Sequence, residues 1–93
     1  MEKFTVTNNQ QNLQFEIDLG DEKAWLEYRW YNSDLVLMHT SVPDDFEGKG
    51  IASLLAKTAL EYAKKEGLKI IVYCLFVRSY LKRHPEYEVL ERK

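Results

Sequence analysis

Ninety-three residues, 45% hydrophobic and 30% charged with a net charge of −2, suit one globular domain over 1–93 and exclude two independent cores. That balance leaves no basic footprint for nucleic acid, and no apolar run reaches membrane-spanning length. One cysteine cannot close an internal disulfide and Met1-Glu2-Lys3-Phe4 lacks a signal-peptide pattern, so a cytoplasmic domain without a membrane partner is expected.

The first twelve residues are polar, and Thr7-Asn8-Asn9-Gln10-Gln11-Asn12 reads as a turn. Leu13, Phe15, Ile17 and Leu19 alternate with Gln14, Glu16 and Asp18, which predicts a half-buried strand. Gly20-Asp21 reverses the chain. Ala24, Leu26, Tyr28 and Trp30 then alternate with Trp25, Glu27, Arg29 and Tyr31 in a second strand. Asn32-Ser33 is the next turn, and Leu35 to Val42 form a third, nearly continuous apolar strand. Strands joined by turns this short predict an antiparallel meander. The aromatics Trp25, Tyr28, Trp30 and Tyr31 are expected to pack on its faces.

The period then changes. Ile51, Leu54, Leu55, Ala59, Tyr62 and Ala63 share one side of a helix ending at Gly67. Leu68 to Leu75, centred on Ile70-Ile71-Val72, predicts a fourth strand. Because a helix intervenes, that strand can lie parallel to the third through a right-handed crossover. Phe76, Val77, Tyr80 and Leu81 recur at helical spacing until His84-Pro85 stops the helix. His84 is expected to cap that end, and Glu88-Val89-Leu90 to add a short terminal strand. The class is therefore α/β (α+β).

Phe46-Glu47-Gly48-Lys49-Gly50-Ile51-Ala52 joins the third strand to the long helix. A glycine loop in that place aims free backbone N–H groups and the positive end of a helix dipole at an anion. The two glycines remove side chains where a phosphate would touch the backbone, and Lys49 adds a mobile cation. The residues alone leave an anion site and an ordinary strand-to-helix turn both open.

This order of elements resembles the GCN5-related N-acetyltransferase superfamily, whose loop reads Gln/Arg-x-x-Gly-x-Gly/Ala. Glu47-Gly48-Lys49-Gly50-Ile51-Ala52 fits from Gly50 onward, with Glu47 where Gln or Arg is usual. Cys74-Leu75-Phe76-Val77-Arg78-Ser79-Tyr80-Leu81-Lys82-Arg83-His84-Pro85-Glu86-Tyr87 looks like the closing signature of the small, truncated, NATD1-like or YjdJ-like branch. That branch lacks the two N-terminal helices of larger relatives, and here too strands precede the loop. The resemblance spans roughly residues 13–87.

The resemblance implies a minimal acetyltransferase fold, acetyl-CoA as co-substrate, no metal, and a primary amine as acceptor. Its pyrophosphate would sit on the amides of Gly48, Lys49, Gly50, Ile51 and Ala52, with Ser53 as a hydroxyl donor. Glu47 beside it would weaken binding unless it points to solvent or pairs with Lys49. Val42, Phe76, Tyr80 and Arg83 would complete the contacts to coenzyme A. Cys74 would lie near its sulfur, with His39 from the preceding strand close by. Cys74 is otherwise a small buried hydrophobe, His39 a structural histidine, and Lys49 and Arg83 solvated cations.

Two mechanisms stay open: direct attack by the amine with His39 as base through water, or acetyl transfer first to a Cys74 thiolate. Tyr80 matches a position that protonates departing coenzyme A in many relatives, with core packing as its other role. An open, shallow cleft favours a protruding protein lysine as acceptor. A non-catalytic module that binds coenzyme A or an acyl-CoA is the rival, separated by whether Cys74 or His39 is needed.

Overall fold

The computed structural model describes residues 3–93, so Met1 and Glu2 of the polar start lie outside the described residues. One five-stranded sheet runs in chain order through β1 (Val6–Asn9), β2 (Gln14–Asp18), β3 (Lys23–Tyr31), β4 (Asp34–Ser41) and β5 (Ile70–Val72). The first four form an antiparallel meander, and β5 joins β4 in parallel after the crossover helix α1 (Ile51–Glu66). A second helix, α2 (Leu75–Arg83), follows β5.

Both helices pack on one face. Ile51, Leu55, Ala56, Ala59, Leu60 and Ala63 of α1 bury against Phe15, Ile17, Ala24, Leu26, Tyr28, Leu35 and Leu37. Three alanines in that stripe let the helix approach the sheet closely, and each large aliphatic buried there contributes about 1.5–3 kcal/mol. Gly67, at φ +69°, ends α1 in a left-handed cap, where the Leu68 N–H reaches the Ala63 carbonyl at 2.8 Å.

Three elements differ from the sequence pattern. The polar start contains a strand, because β1 finds partners its side chains do not announce. Asn9 Nδ2 donates to Glu16 Oε2 at 3.0 Å, and the Tyr28 hydroxyl donates to Asn8 Oδ1 at 2.7 Å. The meander therefore has four strands, with tertiary contacts outweighing the weak β propensity of asparagine.

Strand β5 is shorter than 68–75. Leu68 serves the α1 cap, while the Tyr73 and Cys74 N–H groups both turn to the Leu37 carbonyl. The expected terminal strand is instead a 3-10 helix over Pro85–Leu90. Only Glu91 makes a parallel bridge to Ile70, with the Arg92 N–H on the Ile70 carbonyl at 2.8 Å. Trp30 rests edge-on against Tyr28, 5.9 Å between centroids, and stays partly exposed. No helix among the described residues is long and apolar enough to cross a membrane.

Candidate active site

Strand β4 carries one residue more than its partner. Tyr28 opposes Leu37 and Glu27 opposes His39, so Met38 is the bulged residue. A bulge bends its strand and sharpens the twist. At the same level the pairing with β5 stops: Leu37–Val72 is the last parallel pair. Beyond it, the Leu37 carbonyl accepts from Tyr73 at 2.9 Å and from Cys74 at 3.0 Å. The two parallel strands part there.

The gap opens into a cleft of about 530 Å³. One wall is the run His39 to Val42; Phe46, Glu47, Gly48 and residues 50–53 form the mouth, and Phe76 of α2 stands opposite. Gly48 at φ +82° and Gly50 at φ +79° hold the loop in the left-handed region. An added Cβ would meet nothing within 4 Å at either position, so the demand for glycine there is conformational.

Gly50 caps α1 with no side-chain hydrogen bond, and the first turn holds no acidic residue. Leu54 is the first residue whose N–H bonds back along the helix, to the Gly50 carbonyl at 3.0 Å. The amides of Ile51, Ala52 and Ser53 precede it, and all three residues line the cleft. Among the described residues lining it, Glu47 is the only carboxylate.

Of the candidates from the sequence, His39, Val42, Glu47, Gly48, Gly50, Ile51, Ala52, Ser53 and Phe76 meet around this cleft. Lys49 is exposed in the same loop. The Arg83 guanidinium lies 5.9 Å from the Phe76 ring centre and 6.0 Å from that of Tyr80, behind the cleft wall. Tyr80 is buried, stacked on His84 at 4.1 Å. Burial first, then the charge of Glu86, pushes its phenol above the usual tyrosine range. His84 caps α2, its N–H on the Tyr80 and Leu81 carbonyls.

Cys74 precedes α2 and is 4% exposed. Its Sγ lies 3.2 Å from Thr40 Oγ1. Thr40 opposes the buried Leu26 while His39 opposes Glu27, and neighbouring residues of a strand face opposite ways. Cys74 and His39 therefore flank β4 from two sides. Thr40, Ser41 and Phe46 also line the cleft, and nothing in their residue types marks them. Only the point where β5 ends would have shown that β4 runs on past it.

A family model described as GCN5-related N-acetyl-transferase matches residues 14–90. The chain belongs to that family. Protein NATD1 of Mus musculus is 38% identical over 90 residues, covering 94% of this chain and 82% of the relative. Protein NATD1 of Homo sapiens is 37% identical over 90 residues, with shares of 94% and 80%. The solution structure of a GCN5-like protein from Staphylococcus aureus superposes with a TM-score of 0.74 at 27% identity, covering 99% of this chain and 91% of that one. The expected acetyltransferase-type α+β fold is thus the fold of this family member. Among its described residues four strands and a single 3-10 turn, Asp44–Phe46, precede Gly48, with no α-helix before it.

Proposed function

We propose that this protein is an acetyl-CoA-dependent N-acetyltransferase acting on a primary amine. One observation carries the reading: the residues heading α1, ahead of the Leu54–Gly50 hydrogen bond, line a cleft beside the split between β4 and β5. Backbone N–H groups at 51–53, with the dipole of a sixteen-residue helix, suit a diphosphate. The edge of β4 past Leu37 suits an amide-bearing pantetheine arm, which pairs with exposed strand backbone as an added strand would. Lys49, and Arg83 behind Phe76, would supply positive charge.

Transfer by direct attack fits the placement of the side chains. The amine nitrogen forms a bond to the thioester carbon as the carbon–sulfur bond breaks, and coenzyme A leaves as a thiolate. His39, in the cleft wall, takes the amine proton through water. Cys74 and Thr40 stand beside the thioester on the opposite side of β4. The burial of Cys74 favours this route over an acetyl-Cys74 intermediate, which needs an exposed thiolate. The burial and stacking of Tyr80 favour its packing role.

Calorimetry with acetyl-CoA followed by turnover on a lysine peptide tests the assignment. Binding without turnover on any amine would favour the carrier module, and no binding would remove both. Intact-mass measurement after acetyl-CoA alone should find no added acetyl group; an adduct on Cys74 would replace direct attack by the covalent route.

A further inference from the structure

The sheet face away from the two helices is uncovered. Tyr31, Met38 and Tyr73 on it are 63%, 36% and 68% exposed. With Arg29, Val36 and Ile71 they surround a shallow groove of about 380 Å³. Large apolar side chains scattered singly need no explanation, but a contiguous group does. Tyr, Met and Arg are also types enriched at protein interfaces.

Groove and cleft meet at consecutive residues of β4. The bulged residue Met38 lines the groove, and the next residue, His39, lines the cleft. His39 opposes Glu27 rather than a core residue, so its imidazole belongs to this open face. Arg29, the charged residue lining the groove, is a cation already held 2.6 Å from Glu27. None of the described residues lining it selects a small polyamine by charge, whereas ring faces and a thioether take aliphatic side chains.

We propose that this groove seats the acceptor, an extended protein segment with apolar side chains on either side of a lysine. The flanking side chains rest on Tyr73 and Tyr31, and the lysine passes Met38 to reach His39. The inference rests on the transferase assignment above and names its substrate class.

The test uses the full chain, labelled with nitrogen-15, and the peptide acetyl-Gly-Leu-Gly-Lys-Gly-Leu-Gly-amide titrated to millimolar concentration. The amides of Met38, Ile71 and Tyr73 should shift, and a control peptide with serine for both leucines should leave them still. Tyr73→Ser and Tyr31→Ser, both at exposed positions, should each raise KM for the leucine peptide at least five-fold with acetyl-CoA affinity unchanged. Still groove signals, or unchanged KM in both variants, would overturn the inference while acetyl-CoA binding stood. So would a wild-type dimer that Tyr73→Ser converts to monomer, because the occupant would then be a second copy. Failure of the wild type to bind acetyl-CoA would instead overturn the transferase assignment.

Discussion

Thr40 Oγ1 lies 3.2 Å from Cys74 Sγ and ties β4 to the head of α2 where β5 has already ended. The contact holds the two walls of the cleft at a fixed separation. Thr40→Val and Cys74→Ala should each cost about 1 kcal/mol. The double variant should cost clearly less than their sum, because both remove one shared interaction. Urea denaturation of the four proteins measures the coupling, and strict additivity would mean that the contact contributes nothing.

His39 sits on the other side of the strand, and the proposed proton transfer assigns it a larger kinetic effect than Cys74. His39→Ala should lower kcat roughly a hundred-fold or more while leaving acetyl-CoA affinity within about two-fold, since no coenzyme contact is assigned to the imidazole. Cys74→Ala should retain most of the activity that His39→Ala loses. Full activity in His39→Ala would remove the imidazole from the mechanism.

Gly50→Ala isolates the role of loop conformation. The new methyl group meets open space but forces alanine to φ +79°, a cost of about 1–2 kcal/mol. The expected outcome is a lower urea midpoint together with weaker acetyl-CoA binding. A loss of binding with no loss of stability would show that the methyl group obstructs the ligand itself.

The ends of the pH range report on hydrogen-bonded carboxylates and on Tyr87. Arg92 hydrogen-bonds the Asp34 carboxylate at 2.7 and 2.9 Å and holds it below its ordinary range. Arg78 does the same for Glu91, at 2.6 and 3.0 Å. For Glu16, burial raises the carboxyl, but hydrogen bonds from Gln14, Asn9 and Lys23 outweigh it and the net direction is down.

Depressed carboxyls contribute stability above their unfolded values and lose it as pH falls through the folded ones. Tyr87 has the opposite sign. Its hydrogen bond to Glu61, with burial second, pushes the phenol up to about 12. That stability holds below the unfolded value of 10.0 and disappears as pH rises through the folded one. Arg92→Met should flatten the acid limb of a stability–pH curve and Tyr87→Phe the alkaline limb. Limbs identical to wild type would refute the assignment.

Periodicity located every long element because their cores follow strict spacing. Phe15 and Ile17 recur at two, and Leu55, Ala59 and Ala63 at four. The sequence pattern did not reveal β1, because its asparagines have weak β propensity and their partners Glu16 and Tyr28 sit on the next two strands. It also overran β5, because Leu68 and Cys74 are apolar enough to continue a strand and only backbone bonds to Ala63 and Leu37 show that they do not. The glycine loop was legible because left-handed residues leave a compositional mark. Thr40 was not, because a threonine in a strand looks the same with or without a thiol beside it.

Glu47 is the one place where the loop works against its proposed ligand. Glu47 lines the cleft next to the residues whose amides would take a diphosphate, and a carboxylate turned toward it would repel the ligand. Glu47→Arg replaces that repulsion with attraction and should tighten acetyl-CoA binding several-fold at low salt. Because the site is open to solvent, with Glu47 exposed, the gain should shrink as ionic strength rises and the Debye length falls from about 10 Å at 0.1 M toward 3 Å at 1 M. Glu47→Gln should give about half of the gain in free energy, since it removes one charge where arginine reverses it. Affinities of the three proteins that coincide at low salt would place the carboxylate away from the phosphates and leave the amides of α1 as the whole of the anion site.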